Sequence, residues 1–170
     1  MKKLVYLISP NKINNNFYSD LDAVLSYGNV KFFQLRLKKV RLINILKIAY
    51  KIRKITFKYK VKFIINDNFI LASKAKADGC HMGQLDGSLK IAKKKLKNKI
   101  LGVTCHNSKI LAKNAIKEKA SYLAFGSFFK SNLKPNARKA SLNILRWAKK
   151  NTKKPIVVIG GINNLNYKRL

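Results

Sequence analysis

The chain has 170 residues, 47% of them hydrophobic, and sets 38 Lys and Arg against 6 Asp and Glu for a formal net charge of +32 at pH 7. That length and apolar content suit a single core and a single domain, and two cysteines are too few for a disulfide framework. No stretch approaches the roughly 18 consecutive apolar residues of a membrane-spanning helix, so a soluble cytoplasmic protein is expected.

The chain opens on MKKLVYLISP, whose charged start mimics a secretory leader. Its apolar run at residues 4–8 is too short for one, and Pro10 ends it. Further short apolar runs follow at residues 32–37, 63–65, 79–82, 100–104, 122–125 and 156–159. Between them lie segments with apolar residues at helical spacing: LINILKIAYKIRKITF at residues 42–57, then residues 107–119 and 141–149. The lysine-rich stretch at 90–99 alternates with Ile91, Ala92, Leu96 and Ile100, the pattern of an outer helix with one solvated face. Cys80 and Cys105 sit inside apolar runs and read as buried, reduced thiols. Strand–helix alternation with seven strands predicts an α/β fold with a parallel sheet. The spacing is that of a (β/α)8 TIM-type barrel unit, and a doubly wound open sheet is the competing architecture. The charge suits a polyanion or an anionic surface. The lysines are nevertheless spread along the chain, as on a solvated basic face.

In both parallel architectures the carboxyl ends of the strands hold the active site. The second run leads out through QLRLK, so Gln34, Arg36 and Lys38 are expected on one face. The third ends in Asn66 and Asp67, the fourth leads to Gln84 and Asp86, and the fifth ends in Thr104. The sixth ends in Gly126 and Ser127 and the seventh in Gly160 and Gly161. Two of the six acids thus follow consecutive strands. Two carboxylates suit Mg2+, which takes one or two of them plus substrate phosphates. They equally suit turns and helix caps. The Gly-Gly pair reads either as backbone amides approaching a phosphate or as a tight turn. His81 and His106 lack a second ligand at zinc spacing. No Ser or Cys stands in a triad context.

Read together, QLRLK (34–38), FIINDN (63–68), ADGCHMGQLD (77–86), ILGVTCHN (100–107), SYLAFGSFFKSNLK (121–134) and PIVVIGGIN (155–163) resemble the thiamine-phosphate synthase family, in its order and spacing. The resemblance implies a (β/α)8 barrel. It also implies an Mg2+-dependent transferase of thiamine biosynthesis that joins a hydroxymethylpyrimidine diphosphate to a thiazole phosphate, releasing pyrophosphate. By the same resemblance Asp67 and Asp86 are the Mg2+ ligands. Arg36, Lys38 and Lys134 match the cations that act on the diphosphate, so these three are the expected catalytic residues. Asn66 matches a position that contacts that same group, and Gln34 and Thr104 match positions of the pyrimidine-diphosphate pocket. Ser131 and Gly161 match positions that hold the thiazole phosphate.

This chain departs from the family at Leu37 and Leu85, where an acid is common, at Asn68, where an arginine is, and at Leu133, where a threonine is. The family continues past GGI into an eighth strand, so residues 1–170 are expected to form a single TIM-barrel domain lacking its eighth β/α unit. Small-molecule substrates are the expected partners, with no specific nucleic acid and no membrane, and homo-oligomerisation left open. The competing readings are a thiazole tautomerase-like relative or an inactive fragment on the same scaffold and, from another class, a basic RNA-binding protein. The last would need stacking aromatics on a charged face.

Overall fold

The structure, a computed structural model, describes residues 4–130 and 139–170. Strands and helices alternate throughout: β1 (Val5–Ile8), α1 (Phe17–Ser26), β2 (Val30–Leu35), α2 (Leu42–Lys58), β3 (Lys62–Asn66), α3 (Phe69–Lys74), β4 (Gly79–Met82), α4 (Leu89–Leu96), β5 (Ile100–His106), α5 (Lys109–Lys117), β6 (Tyr122–Phe125), α6 (Leu142–Asn151) and β7 (Ile156–Val158), with a 3-10 turn at Tyr167–Arg169. The seven strands form one sheet in the order β1 to β7, with parallel pairing. A doubly wound sheet reverses its strand order at a switch point. This order never reverses, so the fold is α/β of the TIM type, with seven strands and six α-helices among the described residues. No described helix is long and apolar enough to cross a membrane.

The chain divides into two compact units, residues 1–81 with 94–100, and residues 82–93 with 101–170. In the first, β2 pairs with β3 in the register Phe33↔Phe63 and Gln34↔Ile64. Phe17 of α1 packs on Phe33 at 6.2 Å between ring centroids, and Phe33 stacks on Phe63 at 6.5 Å. Helix α1 buries Phe17, Leu21 and Leu25, and α2 buries Ile45, Ala49, Ile52 and Thr56, each set at one-face spacing. Each fully buried large side chain is worth about 1.5–3 kcal/mol. Asp22 on α1 accepts from Lys58 Nζ and the Tyr59 hydroxyl, both at 3.0 Å, and ties the helix to the end of α2. The Lys58 hydrogen bond, then that of Tyr59, holds its carboxyl below the usual range. Asp78 does comparable work for the sheet. Its Oδ2 accepts from the Phe63 amide at 2.9 Å and lies 3.9 Å from Arg53, while Lys62 lies 3.6 Å from Oδ1.

In the second unit β6 lies between β5 and β7, in the registers Val103↔Leu123 and Ala124↔Val157. All four residues of β6 are buried, the continuous apolar run typical of a parallel strand covered on both faces. Ser108 caps α5, its hydroxyl accepting from the Leu111 amide at 3.2 Å, an interaction worth about 1 kcal/mol. Gly102 is required where it stands, because a Cβ there would run into the Tyr122 ring.

The expected strands are all present: the fourth and sixth have the expected bounds, and the others have shifted ends. The second begins earlier and stops at Leu35, so Arg36 and Lys38 follow the strand instead of alternating along it. The fifth runs on to His106, through a register shift between Thr104 and His106. Helices α1 and α3 were not visible in the sequence pattern. Helix α3 has only six residues, and what starts it is its cap: Asn68 Oδ1 accepts from the Leu71 amide at 2.8 Å.

Candidate active site

In the first unit the carboxyl ends of β2 and β3 gather the polar residues. Gln34 is buried at 2% exposure in an otherwise apolar strand. A buried amide must find partners, and its Nε2 donates to the Tyr6 hydroxyl at 2.9 Å. Arg36, two residues on, is anchored twice to the segment after β1. Its amide donates to Ser9 Oγ at 2.9 Å and its guanidinium to Asn11 Oδ1 at 3.3 Å. The Ser9 amide in turn donates to the Gln34 carbonyl at 2.9 Å. The sequence reading missed Tyr6, Ser9 and Asn11, which hold the two residues it did name.

Lys38 is more than half exposed and points its Nζ at Asp67 Oδ2, 4.0 Å away. Asn66 ends β3 in register with His81 of β4. Asp67 then takes a left-handed backbone, φ 65°, while its amide donates to the His81 carbonyl at 2.7 Å. A non-glycine residue in that region is uncommon and costs on the order of 1 kcal/mol. The surrounding bonds hold Asp67 there, with its carboxylate part-exposed beside Lys38. Lys38, Asn66 and Asp67 are thus grouped at neighbouring strand ends, near the anchored Arg36.

The second unit holds the remaining candidates. Asp86 closes a turn: its Oδ2 accepts from the Gly83 amide at 2.6 Å. The turn reading of this rare acid therefore holds, and its other carboxylate oxygen is left for further duty. Gln84 donates its side-chain amide to the Thr104 carbonyl, linking this turn to β5. Gly160 and Gly161 have φ of 100° and 62°. A Cβ on Gly160 would meet the Ser127 hydroxyl, and one on Gly161 the Lys130 and Phe129 carbonyls. The pair is therefore needed for a tight chain crossing, whatever else it binds. Ser131 and Lys134, with Leu133, lie outside the described residues. Cys80 and Cys105 are buried and outside any disulfide, as expected, and burial pushes the Cys105 thiol up to about 12.

The family model for thiamine monophosphate synthase matches residues 5–170. The thiamine-phosphate synthase of Pelagibacter ubique (strain HTCC1062) is 58% identical over 170 residues, covering 99% of this chain and 82% of that protein. The thiamine-phosphate synthase of Erythrobacter litoralis (strain HTCC2594) is 39% identical, covering 93% and 76%. Among solved structures, thiamine phosphate pyrophosphorylase from Pyrococcus furiosus superposes with a TM-score of 0.84 at 29% identity, over 96% of this chain and 77% of that one. A 3-hexulose-6-phosphate synthase structure shares the fold alone, at a TM-score of 0.65 and 14% identity.

Proposed function

The chain belongs to the thiamine monophosphate synthase family, and from that premise we propose that it condenses 4-amino-2-methyl-5-hydroxymethylpyrimidine diphosphate with a thiazole phosphate to give thiamine phosphate and pyrophosphate. In this reading residues 1–170 act as one TIM-type domain. The observation that carries it is the polar group at the ends of β2 and β3: Arg36 held by Ser9 and Asn11, and Lys38 set against Asp67.

The reaction breaks the bond between the pyrimidine methylene and the diphosphate oxygen. The electron pair leaves with the diphosphate, and the thiazole nitrogen supplies the pair that forms the new C–N bond. Negative charge therefore grows on the leaving group, and groups that bind it more tightly at that moment accelerate the step. We assign that work to Arg36, Lys38 and Lys134. Arg36 is held ready for that work. Its guanidinium is oriented before substrate arrives, so less side-chain freedom is lost on binding. Gln34, Asn66 and Thr104 are assigned to hold the pyrimidine diphosphate, and Ser131 and Gly161 the thiazole phosphate. The attacking nitrogen belongs to the substrate, so no enzyme nucleophile is required.

Asp67 and Asp86 are the carboxylates we assign to Mg2+. Among the described residues no group of three or more His, Cys, Asp or Glu is placed to hold a metal. Mg2+ does not need one, since it is bound through one or two carboxylates, waters and substrate phosphates. Asp86 has one carboxylate oxygen uncommitted to its turn, and Asp67 is part-exposed, so the donors fit the ion. When bound, Mg2+ neutralises charge on the departing diphosphate.

The test is product formation from the two purified substrates with Mg2+, followed by chromatography and a pyrophosphate assay. One pyrophosphate released per thiamine phosphate formed is expected. Absence of both products at saturating substrates overturns the reading.

A further inference from the structure

Helix α2, LINILKIAYKIRKITFK, has two faces, and only one of them is explained by the core. Ile45, Ala49, Ile52 and Thr56 are buried. On the other side Ile43, Tyr50 and Phe57 are 58%, 47% and 74% exposed. They recur every seven residues, two helical turns, so they form one column about 21 Å long at a rise of about 1.5 Å per residue. Lys47 and Lys54 fall beside the column, and Lys51 lies one step further round the helix. Scattered exposed apolar residues are ordinary. An aromatic column interleaved with lysines along a single ridge is an organised surface.

The charges along it are not neutralised internally. Ion pairs among the described residues engage Lys38, Arg53, Lys58 and Lys62. Lys47, Lys51 and Lys54 have no acid partner among them. Tyr50 is tethered, its hydroxyl donating to the Lys74 carbonyl at the end of α3 at 3.1 Å. Its ring therefore leans along the surface towards α3.

We propose that this ridge of α2 binds single-stranded nucleic acid without sequence preference, the lysines tracking phosphates and Tyr50 and Phe57 stacking on unpaired bases. Charge complementarity selects a polyanion, in a chain of net charge +32. The rings select one that carries flat, unpaired bases. A membrane-surface helix is a poorer match, because it presents a broad apolar face bordered by lysines. Here Leu42 is also exposed at the start of the helix, but the column is flanked by a lysine at every second turn and its tyrosine is tethered. None of the ridge residues is among those assigned to the diphosphate, so the two readings are tested on different side chains.

The experiment uses the full chain, a fluorescein-labelled twelve-nucleotide oligo(dT), and phosphatidylcholine vesicles containing phosphatidylglycerol. Fluorescence anisotropy across a salt series reads affinity and its salt slope. Phe57→Ser alone, and Tyr50→Ser with Phe57→Ser, should weaken oligonucleotide binding, the double variant by roughly tenfold or more, with the slope unchanged. Lys47→Gln with Lys54→Gln should reduce the slope by about 1.4, at about 0.7 for each phosphate no longer neutralised. Lys113→Gln with Lys117→Gln, on the exposed lysine face of α5 that lacks aromatics, should change affinity less than twofold. Equal losses in the α5 and α2 lysine variants would overturn the proposal in favour of diffuse charge. An unchanged affinity in Phe57→Ser, or binding to vesicles without binding to oligonucleotide, would overturn it as well.

Discussion

Asp86 carries two demands on one carboxylate. One oxygen closes the turn at Gly83, and the charge is what a metal would use. The demands separate by substitution. Asn in place of Asp keeps an acceptor for the Gly83 amide and removes the charge. Asp86→Asn is therefore expected to melt within a few degrees of the parent while its turnover falls by about a hundredfold or more, partly restored at high Mg2+. Asp86→Ala is expected to lose stability as well, by about 1 kcal/mol for the lost bond. A melting curve and a turnover number on each variant decide it. Unchanged turnover in Asp86→Asn would leave the turn as its whole role. Rarity is what made this acid legible: with 6 acids against 38 basic residues, each one is conspicuous. Rarity could not say which acids are structural. Asp22 and Asp78 are just as rare, yet they tie α1 to α2 and β3 to the segment before β4. Their partners lie 15 to 37 residues away, so only the fold pairs them.

Between elements, the preparation of the site depends on what β1 and its following segment give to β2. Gln34 is buried, and the Tyr6 hydroxyl accepts its amide across the β1–β2 pair. Tyr6→Phe removes that acceptor while keeping the ring that packs on Phe32 at 5.3 Å. An unsatisfied buried donor costs about 1–3 kcal/mol, which in a chain of this size lowers the melting temperature by roughly 2–4 °C per kcal/mol. A freed Gln34 should also raise KM for the pyrimidine diphosphate by several-fold with kcat less affected. A Tyr6→Phe protein with parental Tm and KM would show that Gln34 is held by other means. The sequence revealed the strands because each is a compact apolar run, and their order followed from the alternation. It hid α1 because that helix has only ten residues and follows an asparagine-rich stretch. It hid the Tyr6, Ser9 and Asn11 supports because only the pairing of β1 with β2 brings them within reach of Gln34 and Arg36, 25 to 28 residues on. Arg36 and Lys38 were found through the resemblance and their nearness to a strand end, though β2 stops before either.

Across the molecule the dominant electrostatic term is repulsion. Thirty-eight cations face six acids, and the described ion pairs have side chains 30–60% exposed, a setting in which each pair contributes about 0–1 kcal/mol. Two like charges about 10 Å apart in water repel by about 0.4 kcal/mol, and a basic surface holds many such pairs. The unfolded chain spreads them out, so folding concentrates the charge and loses stability to it. Salt removes much of that cost, because the screening length falls from about 30 Å at 0.01 M to about 3 Å at 1 M. The melting temperature should therefore climb by several degrees between 10 mM and 500 mM NaCl. For a relief of about 2 kcal/mol, a chain of this size gains about 4–8 °C. The gain should shrink at strongly alkaline pH, where ammonium groups in general give up their charge. Thermal melts at three salt concentrations and two pH values are sufficient to check it. A Tm that is flat or falling with salt at pH 7 would mean that the lysines are spaced widely enough, and hydrated well enough, for their repulsion to be the same in the folded and unfolded chain.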